Sequence, residues 1–129
     1  MTVWYLDPSA AFKLIVDEAE SDALARRIDE EQPDLVACWL LDTELRRAAH
    51  RAPQVTQPLI TEFLEGVALY EVPASLFTEA GVLPGPQLRS LDAIHVAAAL
   101  RIGVDAIVTY DTRLASSARD LGLRVIAPV

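Results

Sequence analysis

The sequence predicts an α/β sandwich whose sheet is mainly parallel, and three observations support this. Short apolar segments alternate along the chain with longer segments whose apolar residues recur at helical spacing. The short segments are apolar without clean alternation, which is typical of strands covered on both faces. The final stretch, AIVTYDTRLASSARDLGLRVIAP, is a strand–helix–strand unit, and such a unit joins parallel strands by a right-handed crossover.

Four short apolar segments predict strands, and a fifth predicts one more weakly. The four are TVWYL (2–6), DLVAC (34–38), VDAIVTY (104–110) and LRVIAPV (123–129). The weaker fifth is VALYEV (67–72). Helical patterns separate these segments from one another, as parallel strands require.

The segments between the strands predict seven helices. In the helix expected over 90–102, Leu91, Ile94 and Ala98 recur at helical spacing, and Gly103 provides a C-terminal stop. The segment SDALARRIDEE begins on a helix cap. The other predicted helices cover residues 8–17, 40–51, 54–66, 74–80 and 112–121, and SDALARRIDEE lies within a predicted helix at 20–32.

The composition is that of a single folded domain over residues 1–129. The chain is 52% hydrophobic and its mean hydropathy is +0.26, which excludes a disordered chain. No apolar stretch approaches the length of a membrane span, and the N-terminus lacks the basic segment of a signal peptide. The single cysteine, Cys38, is expected to be a small buried hydrophobe on a strand. We therefore expect a protein of the reducing cytosol.

The charge balance restricts how the chain could act on nucleic acid. The net charge is −8 and the pI about 4.6, which argues against coating nucleic acid by bulk attraction. An enzyme that binds nucleic acid through local basic groups and bound cations remains compatible with this charge. All the basic residues except Lys13 are arginines, whose planar guanidinium groups bind phosphate or carboxylate through two hydrogen bonds.

Four acidic residues are expected at one edge of the sheet. Parallel α/β sheets bind ligands at the carboxyl ends of their strands. Asp7 directly follows the first predicted strand, and Asp111 directly follows VDAIVTY. Glu44 lies six residues past the second strand on the following helix, and Asp92 begins the helix that leads to the strand before Asp111.

Each acid also has a purely structural interpretation. The two aspartates that follow strands could serve only as helix caps. Glu44 could form a surface ion pair with Arg47 or Arg51. Asp92 is harder to explain in this way, because its neighbours in LDAIHVAAAL are apolar and a partly buried acid needs a partner.

Taken together, the four carboxylates predict a divalent metal site. Crowded carboxylates repel one another, and a bound cation removes that penalty. The ligands are hard oxygens, and no His/Cys cluster has the spacing of a zinc site, so Mg²⁺ or Mn²⁺ is expected. Such a site supports phosphodiester hydrolysis. His50 is expected on the surface. His95 is the better functional candidate, with a hydrogen-bonded structural histidine as the main alternative.

Four blocks of the sequence stand out together: YLDPSAAFKLIVDE, TELRRAAHR, LRSLDAIHVAAAL and VTYDTRLASSARDLGLRVIAP. In their order and spacing they resemble the PIN domain, specifically the VapC-type ribonuclease toxins of bacterial toxin–antitoxin pairs. The resemblance implies a three-layer α/β/α sandwich with a central, mainly parallel sheet. It also implies an Mg²⁺-dependent endoribonuclease, with Mn²⁺ as the alternative ion.

The resemblance assigns roles to particular residues. The acidic quartet of the family corresponds to Asp7, Glu44, Asp92 and Asp111. Of these, Asp7 and Asp92 are the leading metal ligands, and the other two complete the site directly or through water. Ser9 and Thr109 match supporting polar positions. The sequence departs from the family at Pro8, where a hydroxyl residue is common.

The resemblance also implies partners. The expected partners are a cognate antitoxin and an RNA substrate, in a homodimer or a toxin–antitoxin hetero-oligomer, with DNA reached only through the antitoxin. The helices near residues 40–66, including PLITEFLEGVALY, are interface candidates, although ordinary core packing explains them equally well. The candidate RNA contacts, each of which could equally be a surface ion pair, are Arg46, Arg47, Arg51, Arg89 and Arg113.

The alternative function is a catalytically weak binding module, either PIN-like or receiver-like, that acts through protein partners. Receiver-like domains also place acids and a metal at strand ends, but they need a lysine at a later strand end. Lys13, on the first predicted helix, is the only lysine in the chain. This argues against the receiver-like alternative.

Overall fold

The computed structural model describes residues 1–129 and contains a five-stranded parallel sheet flanked by seven helices. The strand order is β3-β2-β1-β4-β5, and every neighbouring pair is parallel. The strands are β1 (Val3–Leu6), β2 (Asp34–Cys38), β3 (Ala68–Tyr70), β4 (Ala106–Val108) and β5 (Val125–Ile126). This confirms the predicted fold class, including the weaker fifth strand.

All seven predicted helices are present. They are α1 (Pro8–Lys13), α2 (Ser21–Glu31), α3 (Leu40–Ala49), α4 (Gln57–Leu64), α5 (Ala74–Val82), α6 (Ser90–Ile102) and α7 (Thr112–Asp120). The connections β1–β2 and β2–β3 extend the sheet in one direction from β1. The connections β3–β4 and β4–β5 run in the opposite direction. Right-handed connections therefore place α1, α2, α3 and α4 on one face and α5, α6 and α7 on the other, which gives three layers.

The first helix is shorter than predicted. It ends at Lys13 instead of continuing to residue 17. The hydroxyl of Ser21 explains the early end, because it donates a hydrogen bond to the Val16 carbonyl and accepts one from the Glu18 backbone N–H. These two bonds hold the connection to α2 in a non-helical turn.

Strand β4 is also shorter than its apolar segment. At its start, the Val104 N–H bonds to the carbonyl of Ala99 and so belongs to the end of α6. At its other end, the Tyr110 N–H bonds to the Ser9 hydroxyl instead of continuing the sheet ladder. Both ends of the segment are therefore held by contacts outside the sheet.

The core lies on both sides of β1 and β4. Every residue of β4, and Trp4, Tyr5 and Leu6 of β1, are buried, as expected for strands covered on both faces. Cys38 is free and buried at the end of β2, as predicted. Gly103 ends α6 with φ +77°, a left-handed conformation that favours glycine. None of the helices has the length and apolarity needed to cross a membrane.

The direction of the crossovers reverses at β1, which opens a crevice at the carboxyl ends of β1 and β4. In this register Leu6 lies beside Val108, so the residues that follow them, Asp7 and Thr109, emerge together. The Asp7 N–H continues the ladder with a 3.2 Å bond to the Val108 carbonyl. The fold thus brings the two strand ends to one point.

Candidate active site

Asp7 lies at the carboxyl end of β1 and caps α1. Its Oδ1 accepts hydrogen bonds from the Ala10 N–H at 2.9 Å and from the Ser9 hydroxyl at 2.7 Å. Its Oδ2 accepts a 2.6 Å bond from the Thr109 hydroxyl. The capping interpretation is confirmed, but capping uses only one of the three bonds. The other two fix the orientation of a carboxylate that is only 2% exposed.

The supporting residues connect the two strand ends. The Ser9 hydroxyl, which donates to Asp7, also accepts a 2.9 Å bond from the Tyr110 N–H beyond β4. The Thr109 hydroxyl accepts a 3.1 Å bond from the Asp111 N–H. Pro8 occupies the first position of α1, where no intrahelical N–H bond is lost. The predicted contacts of Ser9 and Thr109 with the acidic site are therefore present.

Burial raises the pKa of the Asp7 carboxyl above its usual range. The hydrogen bonds from Thr109, Ala10 and Ser9 act in the opposite direction, because they stabilise the ionised form. An ionised Asp7 is thus costly to bury, and a bound cation would reduce that cost.

Glu44 lies on the second turn of α3 and points to α6. Its Oε1 is 2.5 Å from Nε2 of His95, and it pairs with neither Arg47 nor Arg51. His95 is fully buried, and its Nδ1 lies 2.7 Å from the Tyr5 hydroxyl. The expected hydrogen-bonded histidine is confirmed, and His50 is exposed, as predicted.

Charge and hydrogen bonding act on the His95 ring from two sides. Burial lowers the pKa of the imidazole, but hydrogen bonds and charge interactions with Cys38 and Glu44 raise it to about 9. The Sγ of Cys38 lies 3.9 Å from Nδ1. The Glu44 carboxylate therefore favours a proton on the ring nitrogen that faces it.

Asp92 and Asp111 share an open polar pocket of about 250 Å³. Asp92 is on the first turn of α6, and Asp111 caps α7 by accepting bonds from the backbone N–H groups of Arg113 and Leu114. The lining of this pocket is entirely polar and consists of Arg89, Asp92, Asp111, Thr112 and Arg113.

Asp92 interacts electrostatically with the other three acids. Its pKa is raised by burial first, and then by the negative charges of Asp111, Asp7 and Glu44, against the opposing effect of His95. Each of the other three acids thus acts on Asp92. The prediction that the fold brings the quartet to one edge of the sheet agrees with these interactions.

The donor set is suited to a hard divalent cation. It consists of carboxylate and hydroxyl oxygens, which Mg²⁺ and Mn²⁺ prefer, and Mg²⁺ usually takes only one or two protein carboxylates and keeps several waters. No three His, Cys, Asp or Glu side chains are already grouped around a single ion position. The chemistry of these oxygen donors fits Mg²⁺ or Mn²⁺.

Comparison with known proteins identifies the family of this fold and site. Residues 4–120 match the family model described as PIN domain. The chain belongs to the PIN domain family. It is 40% identical to Ribonuclease VapC35 of Mycobacterium tuberculosis over 129 residues, covering 96% of each chain. It is also 40% identical to Ribonuclease VapC46 of the same species over 130 residues, covering 99% of each.

Solved structures share the PIN fold at much lower identity. The toxin VapC20 of Mycobacterium tuberculosis, described as cleaving the sarcin–ricin loop, matches with a TM-score of 0.73 at 14% identity, covering 88% of this chain and 94% of that one. VapBC2 from Rickettsia felis, solved with a DNA fragment from its promoter, matches with a TM-score of 0.71 at 12% identity, covering 99% and 100%. These likenesses confirm the α/β/α architecture.

Two of the five candidate RNA-binding arginines of this PIN domain line the acidic-residue pocket, and the other three lie outside it. Arg89 and Arg113 line the pocket that contains Asp92 and Asp111. Arg46 instead bonds to Asp42 on its own helix and to Gln57 and Thr61 of α4. The last two candidates, Arg47 and Arg51, are exposed near the C-terminal end of α3, which runs away from the acidic edge.

The only lysine forms no ion pair with the four acids of the site. Lys13 pairs with Glu18 and Glu20, and its ammonium lies 4.9 Å from the centre of the Tyr110 ring. It therefore lacks the position that a receiver-like site needs.

Tyr5 was not singled out by sequence, because a tyrosine within an apolar strand is indistinguishable from ordinary core.

Proposed function

We propose that this protein is a divalent-metal-dependent endoribonuclease that hydrolyses RNA phosphodiester bonds, with Mg²⁺ as the ion and Mn²⁺ as its substitute. The observation that carries the proposal is the polar pocket shared by Asp92 and Asp111, at the sheet edge where the buried Asp7 ends β1. That concentration of negative charge is unfavourable without a cation. The ribonuclease names of its relatives at 40% identity support the same activity.

The quartet divides into two roles in this proposal. Asp7 and Asp92 hold the metal, while Glu44 and Asp111 complete the site directly or through water. A bound ion would lower the pKa of a water molecule and stabilise negative charge on the leaving oxygen. The chain itself orients Asp7 through the Ser9 and Thr109 hydroxyls.

The two pocket arginines bind the RNA backbone in this proposal. Arg89 and Arg113 are exposed and line the same pocket as Asp92 and Asp111. Their guanidinium groups can bind phosphate oxygens through paired hydrogen bonds, which compensates locally for the net charge of −8. The acids would then act on a phosphodiester held beside them.

We further propose that the protein is a toxin of the cytoplasm, held inactive by a cognate antitoxin. The names of structural neighbours, among them a toxin–antitoxin complex from Klebsiella pneumoniae, support such a partner. A largely apolar groove of about 270 Å³ at α4 offers a surface for it, lined by Leu14, Ile15, Leu59, Glu62 and Phe63. DNA would be reached only through the antitoxin, in a homodimer or a toxin–antitoxin hetero-oligomer.

We assign this function to one nuclease domain over residues 1–129. A single sheet and one core cluster of 29 buried residues support that assignment. The core includes residues of every strand except β3, whose Leu69 packs against it.

The decisive experiment measures cleavage of total RNA by purified protein with Mn²⁺, with Mg²⁺ and with EDTA. Asp92→Asn and Asp7→Asn should abolish metal-dependent cleavage while leaving the circular dichroism spectrum unchanged. Asp17→Asn is the matched control, because Asp17 is exposed and has no side-chain partner. Full cleavage by folded Asp92→Asn would refute the assignment. Growth arrest on expression, relieved by a co-expressed neighbouring gene product, tests the toxin role separately.

A further inference from the structure

A buried chain of hydrogen bonds ends on Glu44. The Cys38 N–H lies 3.1 Å from the Tyr5 hydroxyl, which lies 2.7 Å from Nδ1 of His95. Nε2 of the same ring lies 2.5 Å from Oε1 of Glu44. Tyr5 and His95 are fully buried, so solvent cannot substitute for either partner. The chain connects β2, β1, α6 and α3 in that order.

With Glu44 ionised, the donors and acceptors in this chain require a proton on Nε2 of His95. The Tyr5 oxygen accepts from the Cys38 N–H, and its own proton can be donated to Nδ1. With Nδ1 accepting, the ring proton lies on Nε2 and points at the Glu44 carboxylate. A doubly protonated ring also carries a proton on Nε2. A proton on Nδ1 alone would place two acceptor atoms 2.5 Å apart.

Glu44 depends on this donor for its position. Its side chain is only partly buried, and Oε1 has no bonding partner except His95. The nearby acids repel it, since its charge is one of those that raise the pKa of Asp92. A flexible glutamate that loses its donor would turn toward solvent.

We propose that His95 is a positioning residue. Its Nε2–H, oriented by the Tyr5 hydroxyl, holds Oε1 of Glu44 and leaves Oε2 free to take part in cation binding with the other three acids. This inference rests on the proposed function, because it concerns how one member of the quartet is presented to the cation. Partners that hydrogen-bond to ligating groups typically contribute about 10–100-fold to metal affinity.

The test is calorimetric titration of Mn²⁺ into the metal-free full chain. His95→Leu removes the donor and should weaken Mn²⁺ binding by about 10-fold or more. His95→Gln places an amide N–H near the position of Nε2 and should retain most of the affinity. Tyr5→Phe removes the group that orients the ring and should give an intermediate loss. His50→Leu is the control, because His50 is the only other histidine and is exposed. This variant should bind Mn²⁺ as the wild type does.

Asp7→Asn separates failure of this inference from failure of the proposed function. If Asp7→Asn loses Mn²⁺ binding while both His95 variants retain it, the positioning role is wrong and the metal site stands. If Asp7→Asn binds Mn²⁺ normally, the proposed function itself fails. Equal losses in His95→Leu and His95→Gln would indicate a packing role and also overturn the inference.

If His95→Leu does not fold, a spectroscopic measurement on the wild-type protein tests the positioning role of His95. Nitrogen chemical shifts of the imidazole in the wild-type protein report which ring nitrogen carries the proton. A protonated Nε2 on the buried ring agrees with the proposal. A ring protonated only on Nδ1 would overturn it.

Discussion

The Thr109 hydroxyl donates a 2.6 Å hydrogen bond to Oδ2 of Asp7, joining residues 102 positions apart in the chain. Both residues are buried directly beyond the paired strands β1 and β4. The contact therefore follows from the register of two central strands. Any cation bound by Asp7 would be positioned by this register.

Thr109→Val should destabilise the protein although the two side chains have nearly the same shape. The substitution leaves Oδ2 of a buried carboxylate without a donor, which costs about 1–3 kcal/mol. Thr109→Ser keeps a hydroxyl and should lose much less. Urea unfolding of both variants, in EDTA, measures the difference. Equal stability of the valine and serine variants would show that the hydroxyl contributes nothing.

Asp92→Asn should stabilise the metal-free protein at neutral pH. The pKa of Asp92 is raised in the folded state by burial and by the other acids. A raised carboxyl pKa means that its contribution is fully favourable below the unfolded value of about 3.9 and is lost as pH rises through the folded value. The gain from Asn should thus be absent well below pH 4, appear as pH rises through that value, and reach at most about 1 kcal/mol at neutral pH, because the group is partly exposed.

Thermal unfolding of Asp92→Asn and wild type in EDTA, at several pH values, checks this dependence. Asp17→Asn controls for the general effect of removing one negative charge from an acidic protein. A stability difference that does not vary with pH would contradict the prediction.

Mn²⁺ should raise the thermal stability of the wild-type protein and not that of Asp7→Asn. A ligand that binds only the folded state stabilises it by about 2.7 kcal/mol at a concentration 100 times its Kd. Differential scanning fluorimetry over a range of Mn²⁺ concentrations measures the effect. Ca²⁺ at equal ionic strength shows how selective the site is. An equal shift in Asp7→Asn would place the ion elsewhere.

Arg89→Gln and Arg113→Gln should weaken RNA binding with little change in overall stability. Each guanidinium that neutralises a phosphate contributes about 0.7 to the slope of log K against log salt for single strands. Each substitution should therefore reduce that slope by about this amount. Fluorescence anisotropy with a labelled RNA and Asp92→Asn protein avoids cleavage. Arg119→Gln, exposed at the end of α7, should leave both affinity and slope unchanged.

The strand-end acids could be predicted because their position depends only on the direction of the strands. Asp7 and Asp111 directly follow apolar segments, and parallel pairing brings such positions to one edge. The partner of Glu44 could not be predicted, because α3 and α6 lie on opposite faces of the sheet and His95 is 51 residues away in the chain. Local spacing instead suggested Arg47 or Arg51.

The surroundings of the candidate arginines also depend on helix packing. Arg46, Arg47 and Arg51 are near Glu44 in sequence, but α3 carries them away from the acids at about 1.5 Å per residue. Arg89 and Arg113 start from the ends of two other helices and reach the same pocket.

The contact between Asp7 and Thr109 also bears on when the site exists during synthesis. A ribosome that has made only β1, β2 and β3 has produced Asp7 and Glu44 but none of their partners beyond residue 90. Prematurely terminated chains would carry half of the acids and no assembled site. A cell translating this message thus encounters the complete site only when nearly the whole chain has emerged.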